Sequence, residues 1–283
     1  MPDPESNISA LIKLLAEENP QILEVARSRL VELGAQAVPF LERAALEHED
    51  SKVRVEAKGV LEMIRLAQLG HEWQKTADLP DEKMDLESGA FLLAKVSYPD
   101  LDPKPYHQKL DQLAECARPH LASATSDKDK LLALNRVLFQ DEGFRGDWSN
   151  YFDPQNSYLN RVMDRKLGIP ISLAVLYLLV AKRLKIPIQG AGIPGHFMIK
   201  YQDAKTELFI DPFNEGRFLS RPECVQFIVE AGYPYQADFL EGVGVREILA
   251  RMLRNLILIY VDRHEQTLER TLTQFLDRLY PNS

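Results

Sequence analysis

The sequence predicts an α+β protein, mostly helical, in which a buried helix packs on a small antiparallel sheet between helical flanks. Three observations predict it. Most of the chain carries apolar residues at three-to-four spacing, the mark of helices. The run Ile171 to Ala181 is apolar on nearly all sides, broken only by Ser172 and Tyr177, so this helix lies inside its domain. After it, His196-Phe-Met-Ile-Lys-Tyr201 and Thr206-Glu-Leu-Phe-Ile-Asp211 flank Gln-Asp-Ala-Lys, which reads as two short strands around a four-residue hairpin loop.

Taken in order, residues 8–68 read as four helices. Leu11, Ile12, Leu14 and Leu15 mark the first, and Ile22, Val25, Ala26 and Leu30 the second. Asn19-Pro20 and Leu33-Gly34 punctuate them. The third carries Ala37-Val-Pro-Phe-Leu41 and the fourth opens at Asp50-Ser-Lys-Val-Arg54. These two patterns resemble HEAT-type helical repeats over about one and a half units, so residues 1–75 are expected to form a HEAT-like helical domain. Gln68 to Lys83 is polar, with Gly70 and Pro80, and is expected to be a linker. A second domain is expected over 84–243. In it, helices are predicted at Leu86–Lys95, at Tyr106–Cys116 with Pro119 as its stop, and at Lys128–Phe139. Gly143 to Asn160 is an irregular loop, long enough to suggest a functional one. Ser220-Arg-Pro222-Glu223 starts a further helix, and 244–283 forms a tail of two helices.

Composition narrows the function classes. With 45% hydrophobic and 27% charged residues, the 283-residue chain has ample material for a core. A net charge of −8 and a pI of about 5.4 argue against nucleic-acid and anionic-membrane partners. Met-Pro-Asp-Pro-Glu-Ser-Asn lacks the basic, apolar start of a signal peptide, and no apolar run approaches a membrane span. A cytoplasmic protein is expected. Cys116 and Cys224 are far apart, with no CxxC or Cys/His cluster, so neither disulfides nor zinc are suggested. No nucleotide loop or cofactor fingerprint occurs, and no cofactor is expected.

The residues that carry chemistry lie between Trp148 and Asp211. Pro170 suits a first helical position, where its missing N–H would be unpaired anyway. The start of a buried helix points free N–H groups and partial positive charge into whatever cleft it faces. Closing the hairpin on Tyr201 and Thr206 sets His196 directly opposite Asp211, where an aspartate fixes a histidine's tautomer. A slip of one residue would send one partner to the other face. The same pair also fits a buried hydrogen-bonded couple without a catalytic role. Asn156, Asn160, Arg165 and Trp148, in and after the loop, are the candidate ligand contacts. They fit equally well as loop-pinning residues.

Several stretches here are similar to the SirB-type branch of the transglutaminase-like superfamily. They are Tyr98-Pro-Asp-Leu-Asp102, Asp153-Pro-Gln-Asn-Ser-Tyr-Leu-Asn160, Arg165 to Ala174, Pro194-Gly-His-Phe197, Ile210-Asp-Pro-Phe-Asn214 and Arg251-Met-Leu-Arg-Asn-Leu256. The resemblance implies a papain/transglutaminase-like core with a C-terminal TPR-like start. Catalytic members use Gly-x-Cys-x-x-aromatic-Ala. Aligning Ala174 and Ile186-Pro187 with that pattern places Pro170 on the nucleophilic cysteine, and His196 and Asp211 on the base and its orienting acid. Proline has no nucleophile, which removes the group acyl transfer depends on. Ser172, about 200° further around the helix, is a weak substitute. The resemblance implies a non-catalytic protein that binds a protein or peptide partner in its His/Asp cleft. The alternative is an amidase- or protease-like hydrolase or acyl transferase using Ser172 or a distant cysteine with His196 and Asp211. A third reading has the old cleft filled by side chains.

Overall fold

Asn19 and Pro20 begin a helix as a matched pair: the asparagine side chain accepts from Gln21 N–H at 3.0 Å, and the proline occupies the first turn. This is the second of four helices in the N-terminal part, α1 (Pro4–Lys13), α2 (Pro20–Leu33), α3 (Val38–Glu47) and α4 (Ser51–Ala77). Gly34, at φ +54°, stops α2 in a conformation that disfavours side chains. The computed structural model describes residues 4–281, which divide into two compact units between Glu72 and Trp73. The first unit has its own apolar core, centred on Leu15, Leu30, Leu41, Val53 and Val60, all fully buried.

Two expectations along the chain are corrected. The polar stretch 68–83 is helical through Ala77 rather than a linker. Trp73 and Ala77, four residues apart, present one face that is buried. The Trp73 ring stacks on Phe275 at 5.0 Å, and its Nε1 donates to the Phe275 carbonyl at 2.8 Å. A count of polar residues misses such a face because only every fourth position has to be apolar. Pro119 likewise does not end its helix, which runs Lys104–Ala122. The proline lies exposed near the last turn while Leu113, Ala114 and Ala117 hold the inner face. Its missing hydrogen bond therefore falls on the solvent side.

The second unit contains α5 (Leu86–Ala94), α6 (Lys104–Ala122), α7 (Asp127–Asn135), β1 (Arg145–Gly146), α8 (Leu159–Arg165), β2 (Leu167–Gly168) and α9 (Pro170–Arg183). The chain continues with β3 (Ile188–Ala191), β4 (Met198–Gln202), β5 (Glu207–Asp211), β6 (Arg217–Leu219), α10 (Arg221–Glu230), β7 (Gly242–Val243), α11 (Val245–Asp262) and α12 (Gln266–Leu279). The last two, placed in a tail by the sequence, lie in the same unit as the sheet. Ser126 caps α7 and Ser220 caps α10, each with an acidic partner three residues on.

Eleven of the fourteen residues of α9 are buried. Each fully buried aliphatic side chain there contributes roughly 1.5–3 kcal/mol, so this helix is the centre of the unit. Its two buried hydroxyls are both satisfied: Ser172 donates to the Asn156 carbonyl at 2.5 Å, and Tyr177 to Asn135 Oδ1 at 2.9 Å. Asn135 Nδ2 in turn donates to the Gly216 carbonyl at 2.7 Å. Gly216 sits at φ +76°, and a Cβ there would run into the Asn135 amide.

The sheet has five antiparallel strands in the order β6-β5-β4-β3-β7. Contacts with α9 cover one face, and α10 covers the other through Met198, Phe209, Cys224 and Ile228. With both faces covered, Met198 to Tyr201 are all buried. The hairpin is tighter than the sequence suggests. Asp203 N–H donates to the Thr206 carbonyl at 2.9 Å, and the Asp203 side chain accepts from Lys205 N at 2.6 Å and Thr206 N at 2.7 Å. Gln202 therefore pairs with Glu207, and Ile199 with Ile210. The register is shifted by two residues from a closure on Tyr201 and Thr206.

Trp73→Ala is expected to destabilise the protein by about 3–5 kcal/mol, read by urea unfolding. The exposed Trp148→Ala is expected to cost less than about 1 kcal/mol. Equal effects would contradict the placement of Trp73 in the core.

Candidate functional site

A shift of two residues preserves the face on which a side chain lies, and this keeps His196 and Asp211 together. They are not cross-strand neighbours, because His196 precedes β4. Gly195, at φ +72°, makes the turn, and His196 N–H donates to the Ile193 carbonyl at 3.0 Å. Asp211 closes β5 and caps the short turn Pro212–Asn214. Its Oδ1 accepts from Phe213 N at 3.1 Å and Asn214 N at 3.3 Å, and its Oδ2 from Asn214 Nδ2 at 2.6 Å. The remaining side faces His196, whose Nε2 lies 2.9 Å from Asp211 Oδ1.

That distance is direct, but the ring N–H is not aligned for a hydrogen bond, so Nε2 has no formed bond. At this separation a small ring rotation brings the N–H into line with the carboxylate. Burial alone would raise the Asp211 carboxyl pKa, but the contacts with His196 and Asn214 outweigh it and hold the carboxyl below its usual range. His196 is only 9% exposed. Its Nδ1 has no protein partner among the described residues and is not among the sealed polar atoms.

His196 and Pro170 line one cavity of about 290 Å³. Pro170 and Ile171 supply the start of α9, Tyr151 comes from the loop before it, and Arg251, Arg254 and Asn255 come from α11. The helix start contributes unpaired N–H groups and partial positive charge to this space. The described lining residues include no serine, threonine or cysteine.

The other nucleophile candidates are placed elsewhere. Ser172 is fully buried. It donates to the Asn156 carbonyl at 2.5 Å and accepts from Ile169 N at 3.0 Å, which fixes the helix start. Cys224 is buried, and its environment pushes the thiol up to about 12, mainly by desolvation. Its Sγ lies 3.9 Å from Met198 Sδ. Cys116 is exposed on α6. Neither cysteine lines the cavity.

The loop from Asp147 to Asn156 is stitched to the helix start. β1 pairs parallel with β2, Asp147 N–H donates to the Gly168 carbonyl at 3.0 Å, and Ile169 N–H to the Asn156 carbonyl at 3.3 Å. Asn156 is fully buried, donating to Asp147 Oδ2 at 3.1 Å and to the Asn150 carbonyl at 2.8 Å. Arg165 bonds Asn156 Oδ1 at 3.2 Å and pairs with Asp153 at 3.1 Å. Trp148 is 72% exposed and packs on Phe213 with ring centroids 4.5 Å apart. Asn160 is buried with Oδ1 unpaired, and it lines a different cavity with Ser97, Tyr98 and Arg161. None of these four candidate contacts lines the His196 cavity.

Conversely, Tyr151, Arg251, Arg254 and Asn255 were not among the expected contacts. The α11 signal was present: polar residues at 251, 254 and 255 share one helix face at i, i+3, i+4 spacing, beside the apolar face of Met252, Leu253 and Leu256.

Comparison with known proteins agrees with the geometry. The sequence profile of the transglutaminase-like superfamily matches residues 104–254. A UPF0162 protein of Xylella fastidiosa (strain 9a5c) is 37% identical over 216 residues, covering 74% of this chain and 77% of that protein. A UPF0162 protein of Vibrio cholerae is 31% identical over 176 residues, covering 61% of this chain and 65% of that one. Human F-box only protein 21 is 26% identical over 260 residues, 80% of this chain but 41% of that protein. No solved structure is significantly similar.

Two outcomes follow from the geometry. In Pro170→Cys, the new thiol is expected at a helix start lining the same cavity as His196, where its pKa should fall below the ordinary value of about 8.5. Iodoacetamide at pH 6.5 should alkylate it at least tenfold faster than Cys116, and adding His196→Ala should remove the advantage. Equal rates would show that the helix start and His196 do not form a thiol-activating pair. The depressed Asp211 pKa gives stability that is present above the unfolded carboxylate pKa and lost as pH falls through the folded value. Asp211→Asn should flatten that part of the acid-unfolding profile, and an unchanged profile would remove the pair's electrostatic role.

Proposed function

The chain belongs to the transglutaminase-like superfamily and groups with its UPF0162 members, and from that premise we propose that it is a non-catalytic, pseudoenzyme relative of the thiol hydrolases that binds a protein or peptide partner in its cleft. One observation carries this reading: Pro170 stands at the helix start facing the same cavity as His196, where acyl transfer needs a side-chain nucleophile. The base and its acid are kept while the group they would activate is gone.

The open cavity argues against a cleft filled by side chains. A hydrolase built on Ser172 has little support, because that hydroxyl is already committed to the Asn156 carbonyl and to Ile169 N–H. Geometry precedes any pKa argument for a nucleophile. A HEAT-like reading of the N-terminal helices and a TPR-like reading of α11 and α12 fit a binding protein as well, since helical-repeat surfaces serve as binding platforms.

The direct test incubates the full chain with acetylated glutamine peptides and an activated ester, following ammonia, alcohol and peptide products. The expected result is no turnover above buffer and no difference on His196→Ala. Turnover in the wild-type chain that His196→Ala abolishes would establish an enzyme.

A further inference from the structure

Among the described residues Arg251 makes no ion pair, and the acid acting on it, Glu247 one helix turn earlier, is already held by Arg254 at 2.8 Å and Tyr280 at 2.6 Å. Arg251 Nη2 donates to the Ile193 carbonyl at 2.6 Å and to the His196 carbonyl at 2.8 Å, which holds the turn that carries the histidine. Its guanidinium lies over the Phe197 ring at 5.7 Å. No carboxylate of the described residues comes within ion-pair distance of it. Among the described residues its Nε and Nη1 have no protein acceptor and are not sealed off, and the residue lines the cavity. A desolvated guanidinium supported by carbonyls and lacking a carboxylate is a built anion site, and its planar fork suits a carboxylate.

The histidine beside it sets a second requirement. His196 is nine-tenths buried, and Nε2 faces the Asp211 carboxylate. That arrangement favours the proton on Nε2 and leaves the Nδ1 lone pair open to the cavity. The ligand must therefore offer an acceptor to Arg251 and a donor to Nδ1 within a small space. At about 290 Å³ the cavity is at the lower end of ligand pockets, which run from about 300 to 1,000 Å³. It suits one residue rather than a through-running segment. The last residue of a polypeptide has the required pattern, a carboxylate with its own amide N–H close by.

We propose that this cavity holds the C-terminal residue of a polypeptide, its carboxylate on Arg251 and its amide N–H on His196 Nδ1, with Tyr151 and Phe197 as walls for the side chain. The assignment rests on the reading of the cleft as a peptide-binding site and names which part of the peptide enters it.

The test uses the full chain and four probes: N-acetylglycine, N-acetylglycinamide, and acetylated tetrapeptide pools randomised at every position with either free or amidated ends. Binding is read by calorimetry and by side-chain NMR signals of Arg251. Free-acid probes are expected to bind at least tenfold more tightly than their amides, and Arg251→Lys should remove that difference. Because Arg251 also supports the turn, Asn255→Phe serves as a second variant that fills the cavity while leaving those carbonyl bonds in place. It too should abolish binding.

Equal binding of acid and amide pools would overturn the carboxylate site and leave the peptide-binding reading standing. Binding of N-acetylglycine without either pool would support the carboxylate site with a free small acid as its source, and would overturn the polypeptide. Inorganic phosphate binding more tightly than N-acetylglycine, or no binding by any probe, would overturn the proposal.

Discussion

The buried start of α9 is the constraint on which the rest of the second unit depends. A helix with eleven of fourteen residues inside must be covered on every side. The sheet covers one side, and α5, α6, α8 and α11 cover others. Its side chains can be satisfied by packing, but the first N–H groups of a helix have no intrahelical acceptor. Here Ser172 and the Asn156 carbonyl close part of that end, and the stitched loop holds them. What stays open is the side bearing Pro170 and Ile171, and the cavity lies there.

Around that opening lie the helix start and His196, with Asp211 behind it, and no serine, threonine or cysteine among the described lining residues. His196, just before β4, and Asp211, at the end of β5, lie 2.9 Å apart, and the helix field would favour an anion at position 170. A proline in that place accepts the helix geometry without using the field. The groups left around the opening are a carbonyl-supported Arg251, an Nδ1 without a protein partner among the described residues, and an aromatic wall. A cleft shaped to stabilise a transient oxyanion is physically close to one that holds a permanent carboxylate, since both need donors aimed into a dry space.

Much of this was legible in the sequence, for reasons that can be traced. The continuous apolar run of α9, the Asn19-Pro20 and Gly34 punctuation, and the capping residue Ser220 are local signals, and local physics decides them. The His196–Asp211 pairing was reached through a hairpin register two residues off, and the contact holds only because side chains alternate with period two. The true register depends on the Asp203 side chain capping its own turn, a detail below the resolution of strand patterning. For Asn156 and Arg165 the sequence left ligand contact and loop-pinning equally open, because a buried hydrogen-bonding residue and a ligand-binding one have the same composition; their bonds within the loop are tertiary information. Arg251 and Asn255 went unassigned because α11 comes back to the site from some forty residues further along the chain, and that return is tertiary information.

His196 and Asp211 face each other, and the second histidine nitrogen faces an open cavity without a serine, threonine or cysteine among its described lining residues. The ¹⁵N shifts of the His196 ring in the full chain test this most directly. The expected result is a protonated Nε2 and an unprotonated Nδ1 that lacks an internal hydrogen bond and is open to solvent. A proton on Nδ1, or an Nδ1 bonded within the protein, would contradict it.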